Sequence, residues 1–320
     1  MTVPVVQALA KQYPDDTISF LSKPFHSFLF DPIANVSFIA FDEKKHKGLW
    51  GTFLFWWKYL RPLNFTHVVD LHDVLRSKIL RSLFAVTAAK VGVFEKGRTE
   101  KKQAVHAHTA ARQPLKHTVQ RYKEAFGKLG FKVDLDEQHL ISAKRGTATV
   151  KIIGIAPFAK HFTKTYPLEK MRALIVSLLQ QKDREIILFG GKEDLPQLQS
   201  LLVSEQVSIV KAQDMAGEMQ QIAQLDVMIS MDSANMHLAS LMEVPVVSIW
   251  GGTHPNLGFY GFRQDPKQAV QVDLPCRPCS VFGRGDCPEG HFGCMKNIDN
   301  QEIVEKIANL IASRESGEID

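Results

Sequence analysis

An α/β fold with two doubly wound domains follows from three features of the sequence. Short apolar runs alternate with longer segments of helical periodicity, the pattern of parallel strands joined by crossover helices. Several of those runs end in glycine or polar turns: His72-Asp73, Gly190-Gly191, Asp232-Ser233 and Gly251-Gly252. The chain of 320 residues also suffices for two domains of about 150 residues, each able to bury a core.

Taken in order, Met1 to Tyr13 predicts an amphipathic helix with Val5, Val6, Leu9 and Ala10 apolar, and residues 17–21 read as a strand. A first element that is a helix, with no strand before it, is unusual for a doubly wound domain, so we expect a sheet lacking its first strand and a numbering that starts at an internal methionine. Residues 25–30 read as a short helix or turn, 36–41 as a strand, and the charged turn 42–47 leads into GLWGTFLFWWKYL, residues 48–60. That segment is too short to span a bilayer and reads as a core helix, with an interfacial role for Trp56, Trp57 and Tyr59 as the alternative. Strands follow at 66–71 and 90–94 around a helix at 74–88, then a polar, basic stretch at 97–108 expected to be a solvated loop, and a helix at 113–129.

Mixed charge and few apolar anchors at 130–146 place a domain boundary near 148, giving domains 1–148 and 149–320. The second domain reads as strands at 150–156, 185–189, 207–210, 227–230 and 246–250, with helices at 168–181, 195–204, 215–225 and 234–242 between them and one at 301–313 closing the chain. Right-handed crossovers put the turns after these strands on one sheet edge, where ligands of open α/β sheets bind. Asp232 and Ser233 offer side-chain oxygens where a helix begins, and that helix start suits phosphate. His237 lies within its first turn and can face the same ligand. The alternative is an ordinary helix cap with a locally packed histidine.

The net charge of +5, from 39 basic against 34 acidic residues, is mild and argues for anionic ligands or surfaces. No arginine-rich block points to nucleic acid, and the lack of a long apolar run or secretory signal predicts a cytoplasmic protein. All four cysteines, Cys276, Cys279, Cys287 and Cys294, fall within nineteen residues as C-x2-C-x7-C-x6-C. In a reducing compartment such clustering favours a structural zinc or similar site over disulfides, although the spacing is not that of a standard zinc ribbon; free thiols or a disulfide are the other reading.

The stretch DSANMHLA followed by PVVSIWGGTHP resembles the signature of the heptosyltransferase-like glycosyltransferases of family 9, with Ala234 where that family usually has glycine. The resemblance implies a GT-B enzyme: two Rossmann-like domains facing a cleft, the C-terminal one holding a nucleotide-sugar donor and the N-terminal one a glycan or lipid-linked acceptor such as lipopolysaccharide core. It implies inverting transfer with no metal or other cofactor required, and peripheral contact with the inner membrane. KTYP at 164–167 is similar to the family's K-x-W-P, which makes Lys164 the donor-phosphate lysine, and Glu193 after Gly190-Gly191 inherits contacts to ribose hydroxyls. The expected donor set is Lys164, Glu193, Asp232, Ser233, Ala234, His237, Gly251, Gly252 and Thr253. The family's aspartate base would lie in a turn before Met1, so no catalytic base is assigned. The rivals are another Rossmann-type nucleotide-sugar enzyme, such as an epimerase, and a binding protein without transferase activity.

Overall fold

A computed structural model describes residues 1–107, 113–135, 150–212 and 214–316, and the predicted boundary near 148 lies outside them. The chain divides into two compact units, Met1–Gly97 with Lys116–Gln138, and Arg98–Leu115 with His139–Asp320.

The first unit opens on α1 (Val3–Gln12), which is buried nearly all round: Val3, Val5, Val6, Ala8, Leu9 and Ala10 are all interior. β1 (Ile18–Ser22) pairs in parallel with β2 (Val36–Ala40), from Ile18 opposite Val36 to Ser22 opposite Ala40. α2 (Gly48–Phe55) continues through a wider turn at Trp56–Leu60 and a tight one at Arg61–Leu63. β3 (His67–Asp70), α3 (Leu75–Ala85) and β4 (Lys90–Val93) form a βαβ unit, again with parallel pairing. Its βα turn is fixed by Asp70, whose Oδ1 accepts from the backbone of His72 and Asp73 and whose Oδ2 pairs with Arg81 at 3.3 Å. The two ladders are separate two-stranded sheets rather than one continuous sheet. Phe41, Phe55, Trp56, Leu60, Leu80 and Phe84 form an aromatic-rich core beside them.

The stretch at 97–108 departs from the expected solvated loop. It holds α4 (Arg98–His106), grouped with the second unit, because Ala104 packs on the fully buried Leu257 and the Lys101 ammonium sits 4.3 Å from the Phe259 ring centre. α5 (Thr118–Gly127) starts five residues later than its apolar pattern suggests, since His117 Nδ1 accepts from Val119 and sets the start there.

The second unit runs β5 (Lys151–Ala156), α6 (Leu168–Leu178), β6 (Arg184–Leu188), α7 (Leu195–Ser200), β7 (Val207–Ile209), α8 (Met215–Ala223), β8 (Val227–Met231), α9 (Ala234–Leu241), β9 (Val246–Trp250), β10 (Ala269–Gln271), α10 (Gly293–Lys296) and α11 (Asn300–Glu315). The strands form one six-stranded parallel sheet in the order β10-β9-β8-β5-β6-β7. Every residue of β8 and β9 is buried, as expected of strands covered on both faces. Ile303, Ile307 and Leu310 of α11 join Leu174, Leu178, Ile229 and Ile249 in the core, each contributing roughly 1.5–3 kcal/mol by leaving water. The strand order reverses between β5 and β8, the place where open α/β sheets leave a crevice at their carboxyl edge. Among the described residues, no helix is long and apolar enough to cross a membrane.

Candidate functional site

The loops after β5, β8 and β9 meet at that reversal. Lys164, in a tight turn at Phe162–Lys164, places its Nζ 2.7 Å from Asp232 Oδ2, and the two side chains are only 14% and 10% exposed. The same carboxylate oxygen accepts from Thr253 Oγ1 at 2.8 Å. Thr163 and Gly252 link the first and third loops, with the Gly252 amide donating to the Thr163 carbonyl at 3.0 Å. A Cβ on Gly251 would stand 2.5 Å from that same carbonyl oxygen, so the close approach of the loops requires glycine there.

The alternative reading, in which Asp232 and Ser233 serve as an ordinary cap of α9, does not hold. Asp232 is committed to Lys164 and Thr253, while the Ser233 hydroxyl pairs with that of Ser230 at 3.2 Å. Neither side chain caps the helix, so its first turn presents backbone donors beside a buried lysine. Ala234 opens that turn in an exposed position and His237, half-buried, completes it.

Glu193 belongs to the same sheet edge but not to this cluster. It is exposed in the short turn Lys192–Asp194 after β6. The turn is closed by its neighbour: Asp194 Oδ2 accepts from the Gly191 amide at 2.8 Å, so that amide is already engaged within the chain. A Cβ on Gly190 would crowd Leu198 and Asp194, which accounts for glycine there by packing.

Three residues that sequence reasoning passed over hold the site together, and all lie in or touch the cysteine-rich segment. Arg277, buried between Cys276 and Cys279, donates to the carbonyls of Gly251 at 2.6 Å and Thr253 at 2.8 Å, and so clamps the loop after β9. Burial pushes its guanidinium below the usual range. Thr163 Oγ1 donates to the Gly283 carbonyl at 2.6 Å. Gly283 has φ +75° and lies so close to the Lys164 stem that a Cβ would come within 2.7 Å of it. The amides of Cys279 and Ser280 both donate to Gly252. The sequence signal was present but faint: an arginine inside C-R-P-C, where the cysteines draw the eye.

The thiols themselves do not form the expected zinc centre. Cys279 donates to the Cys276 carbonyl at 3.0 Å, Cys287 Sγ accepts from the Phe292 amide at 3.4 Å, and Cys276 Sγ lies 3.9 Å from His291 Nε2. These separate partners leave no common centre: among the described residues, no group of three or more His, Cys, Asp or Glu could hold a metal ion. All four are free thiols. Cys279, Cys287 and Cys294 line a small cavity with Thr163, Gly252 and Phe292, directly behind the clustered loops. Burial, followed by the neighbouring thiols, pushes Cys279 up to about 11, and burial also raises Cys294.

Comparison with known proteins agrees with this architecture. The chain is 27% identical over 190 residues to lipooligosaccharide heptosyltransferase 2 of Campylobacter jejuni, a match covering 57% of each protein. It spans about half the length of the curated relatives it matches. Among solved structures, a family 9 glycosyl transferase of Veillonella parvula has a TM-score of 0.72 at 15% identity, covering 98% of this chain and 93% of its own. The ADP-heptose lps heptosyltransferase II of E. coli has a TM-score of 0.66 at 16% identity, covering 98% and 95%. Both share the GT-B fold of two Rossmann-like domains with this chain. The family model described as glycosyltransferase family 9 (heptosyltransferase) matches residues 54–284, and the chain belongs to that family.

Proposed function

We propose that the protein transfers a heptose from a nucleotide-diphosphate sugar, ADP-heptose by the names of its relatives, to a lipopolysaccharide or lipooligosaccharide core acceptor. The observation that carries this reading is the buried Lys164–Asp232 pair beside the uncapped start of α9, at the reversal of the strand order. A diphosphate bound there gains a fixed cation and helix-end amides in a setting that screens little. Both are worth most when charge builds on the leaving group, which is when catalysis needs them.

In this scheme an acceptor hydroxyl attacks the anomeric carbon from the face opposite the diphosphate, inverting that centre. The bond from that carbon to the phosphate oxygen breaks, and its electron pair goes to the oxygen facing Lys164. Asp232 holds the lysine in register, Thr253 holds Asp232, and His237 and Ser233 border the phosphates. Glu193 reaches the ribose hydroxyls, and Gly251 and Gly252 let the loop after β9 close on Thr163 beside the ligand. Residues 149–320 serve the donor and 1–148 the acceptor. The acceptor proton passes to a base that no residue of the chain is assigned to supply. No metal takes part, the protein's own cation and dipoles serving in its place, and the reaction belongs in the cytoplasm.

A second reading, a nucleotide- or glycan-binding protein without transfer, is favoured by Ala234 in place of glycine. Incubation with ADP-heptose and a heptose-free lipopolysaccharide acceptor, followed by mass spectrometry of the acceptor, separates the two. A gain of one heptose residue supports transfer; ADP binding with no gain supports the second reading.

A further inference from the structure

The helical segment 48–63 of the first unit is mostly apolar, yet only one side of it is buried. Thr52, Phe55, Trp56 and Leu60 face the core, so the sequence-based grouping of Trp56 with an interfacial face is corrected. The opposite side exposes Trp50 at 71%, Leu54 at 48% and Trp57 at 52%, and Leu49 and Leu63 at the two ends of the segment are also exposed. Trp50, Leu54 and Trp57 are spaced four and three residues apart and so lie along one stripe. Phe53 stacks between the two outer tryptophans, at 5.4 Å from Trp50 and 6.2 Å from Trp57. Contiguous exposed apolar surface of this kind marks a contact site.

The charge around the patch identifies what it contacts. Residues 44–63 contain Lys44, Lys45, Lys47, Lys58 and Arg61, all exposed, and no aspartate or glutamate. The Arg61 guanidinium lies 4.2 Å from the Trp57 ring centre, which sets a cation at the edge of the apolar stripe. Exposed tryptophan and leucine bordered by lysine and arginine is the composition of a segment lying in the interface of an anionic bilayer. A protein partner or a second copy would suit the apolar stripe but would also have to bring acidic groups to the cations, of which, among the described residues, Lys45 alone is paired, with Asp42 at 3.9 Å.

We infer that residues 48–63 dock the protein on the surface of an anionic lipid bilayer, with Trp50, Leu54 and Trp57 seated among the acyl chains and the five cations at the headgroups. The inference stands on the first unit alone and holds whether or not the chain transfers sugar. It also places the protein where a lipid-linked acceptor would be met.

The test is co-sedimentation of the full chain with vesicles of phosphatidylcholine alone and of equimolar phosphatidylcholine and phosphatidylglycerol, with tryptophan quenching by brominated acyl chains. We expect binding to the anionic vesicles only, quenching on binding, and loss of both in the Trp50→Ser/Trp57→Ser variant. Lys58→Gln and Arg61→Gln should each weaken binding about fivefold at low salt. ADP affinity and the circular dichroism spectrum report folding, and each variant should keep both. Failure to bind anionic vesicles overturns the inference. So does binding that the folded double variant retains, or a dimer in sedimentation equilibrium that the double variant abolishes.

Discussion

Arg277 Nε donates to the carbonyl oxygen of Gly251 at 2.6 Å, joining the cysteine-rich segment to the loop that borders the buried Lys164–Asp232 pair. The segment is thereby a scaffold for the candidate donor loops, through Arg277, Thr163 and Gly283 rather than through its sulfurs.

Replacing Arg277 by methionine keeps apolar bulk and removes the donors to Gly251 and Thr253. Each carbonyl left buried without a partner costs about 1–3 kcal/mol. We expect a loss of about 2–4 kcal/mol and a Tm lower by about 5–10 °C in calorimetry. Lysine should rescue little, because it cannot reproduce the fork of the guanidinium. A Tm within a degree of the parent would contradict the scaffold role.

His254 gives the second unit a signature in pH. Burial, followed by the nearby Arg277 charge, lowers it to about 4, while its Nδ1 accepts from the Asn256 amide. The folded protein therefore keeps this imidazole neutral where the unfolded chain, with a pKa of about 6.5, takes up a proton. Its contribution is fully present above about pH 6.5 and falls by about 1.4 kcal/mol per pH unit as pH drops toward 4. Urea unfolding across that range should lose this part of its slope in His254→Asn. An unchanged slope would mean that other groups carry it.

Cys279, with its thiol pushed up to about 11, should react with iodoacetamide at pH 8 more than about tenfold slower than an unhindered thiol. Peptide mass spectrometry over time reads this directly. Rapid labelling of Cys279 in the folded protein would show that its half-buried thiol is not held in the raised state.

Much of the fold was legible because parallel strands buried on both faces appear as uninterrupted apolar runs, as in residues 227–231 and 246–250. The meeting of loops near 164, 232 and 251 follows from those strands lying parallel in one sheet. What escaped was settled by contacts distant in sequence. Asp232 is a residue type that caps helices, and only the position of Lys164, 68 residues earlier, shows that it pairs instead. Residues 98–106 read as a polar loop because their packing partners, Leu257 and Phe259, come more than 150 residues later. At Gly190-Gly191 the pattern suggested a ligand, while Asp194 takes the amide locally.

The buried ion pair yields a prediction about stability that differs from the one about binding. Lys164→Ala strands a carboxylate that is 10% exposed, and Asp232→Asn strands the ammonium. Each should cost up to about 3–5 kcal/mol, while the double variant should cost less than their sum. A thermodynamic cycle from urea melts gives the coupling, and simple additivity would deny that the pair interacts.

The most direct test of the donor site is calorimetric titration of ADP into the parent protein and into Lys164→Met, with folding checked by circular dichroism. The account predicts measurable ADP binding that weakens at least about tenfold in the folded variant, the equivalent of about 1.4 kcal/mol. Equal affinity in the two proteins would contradict it.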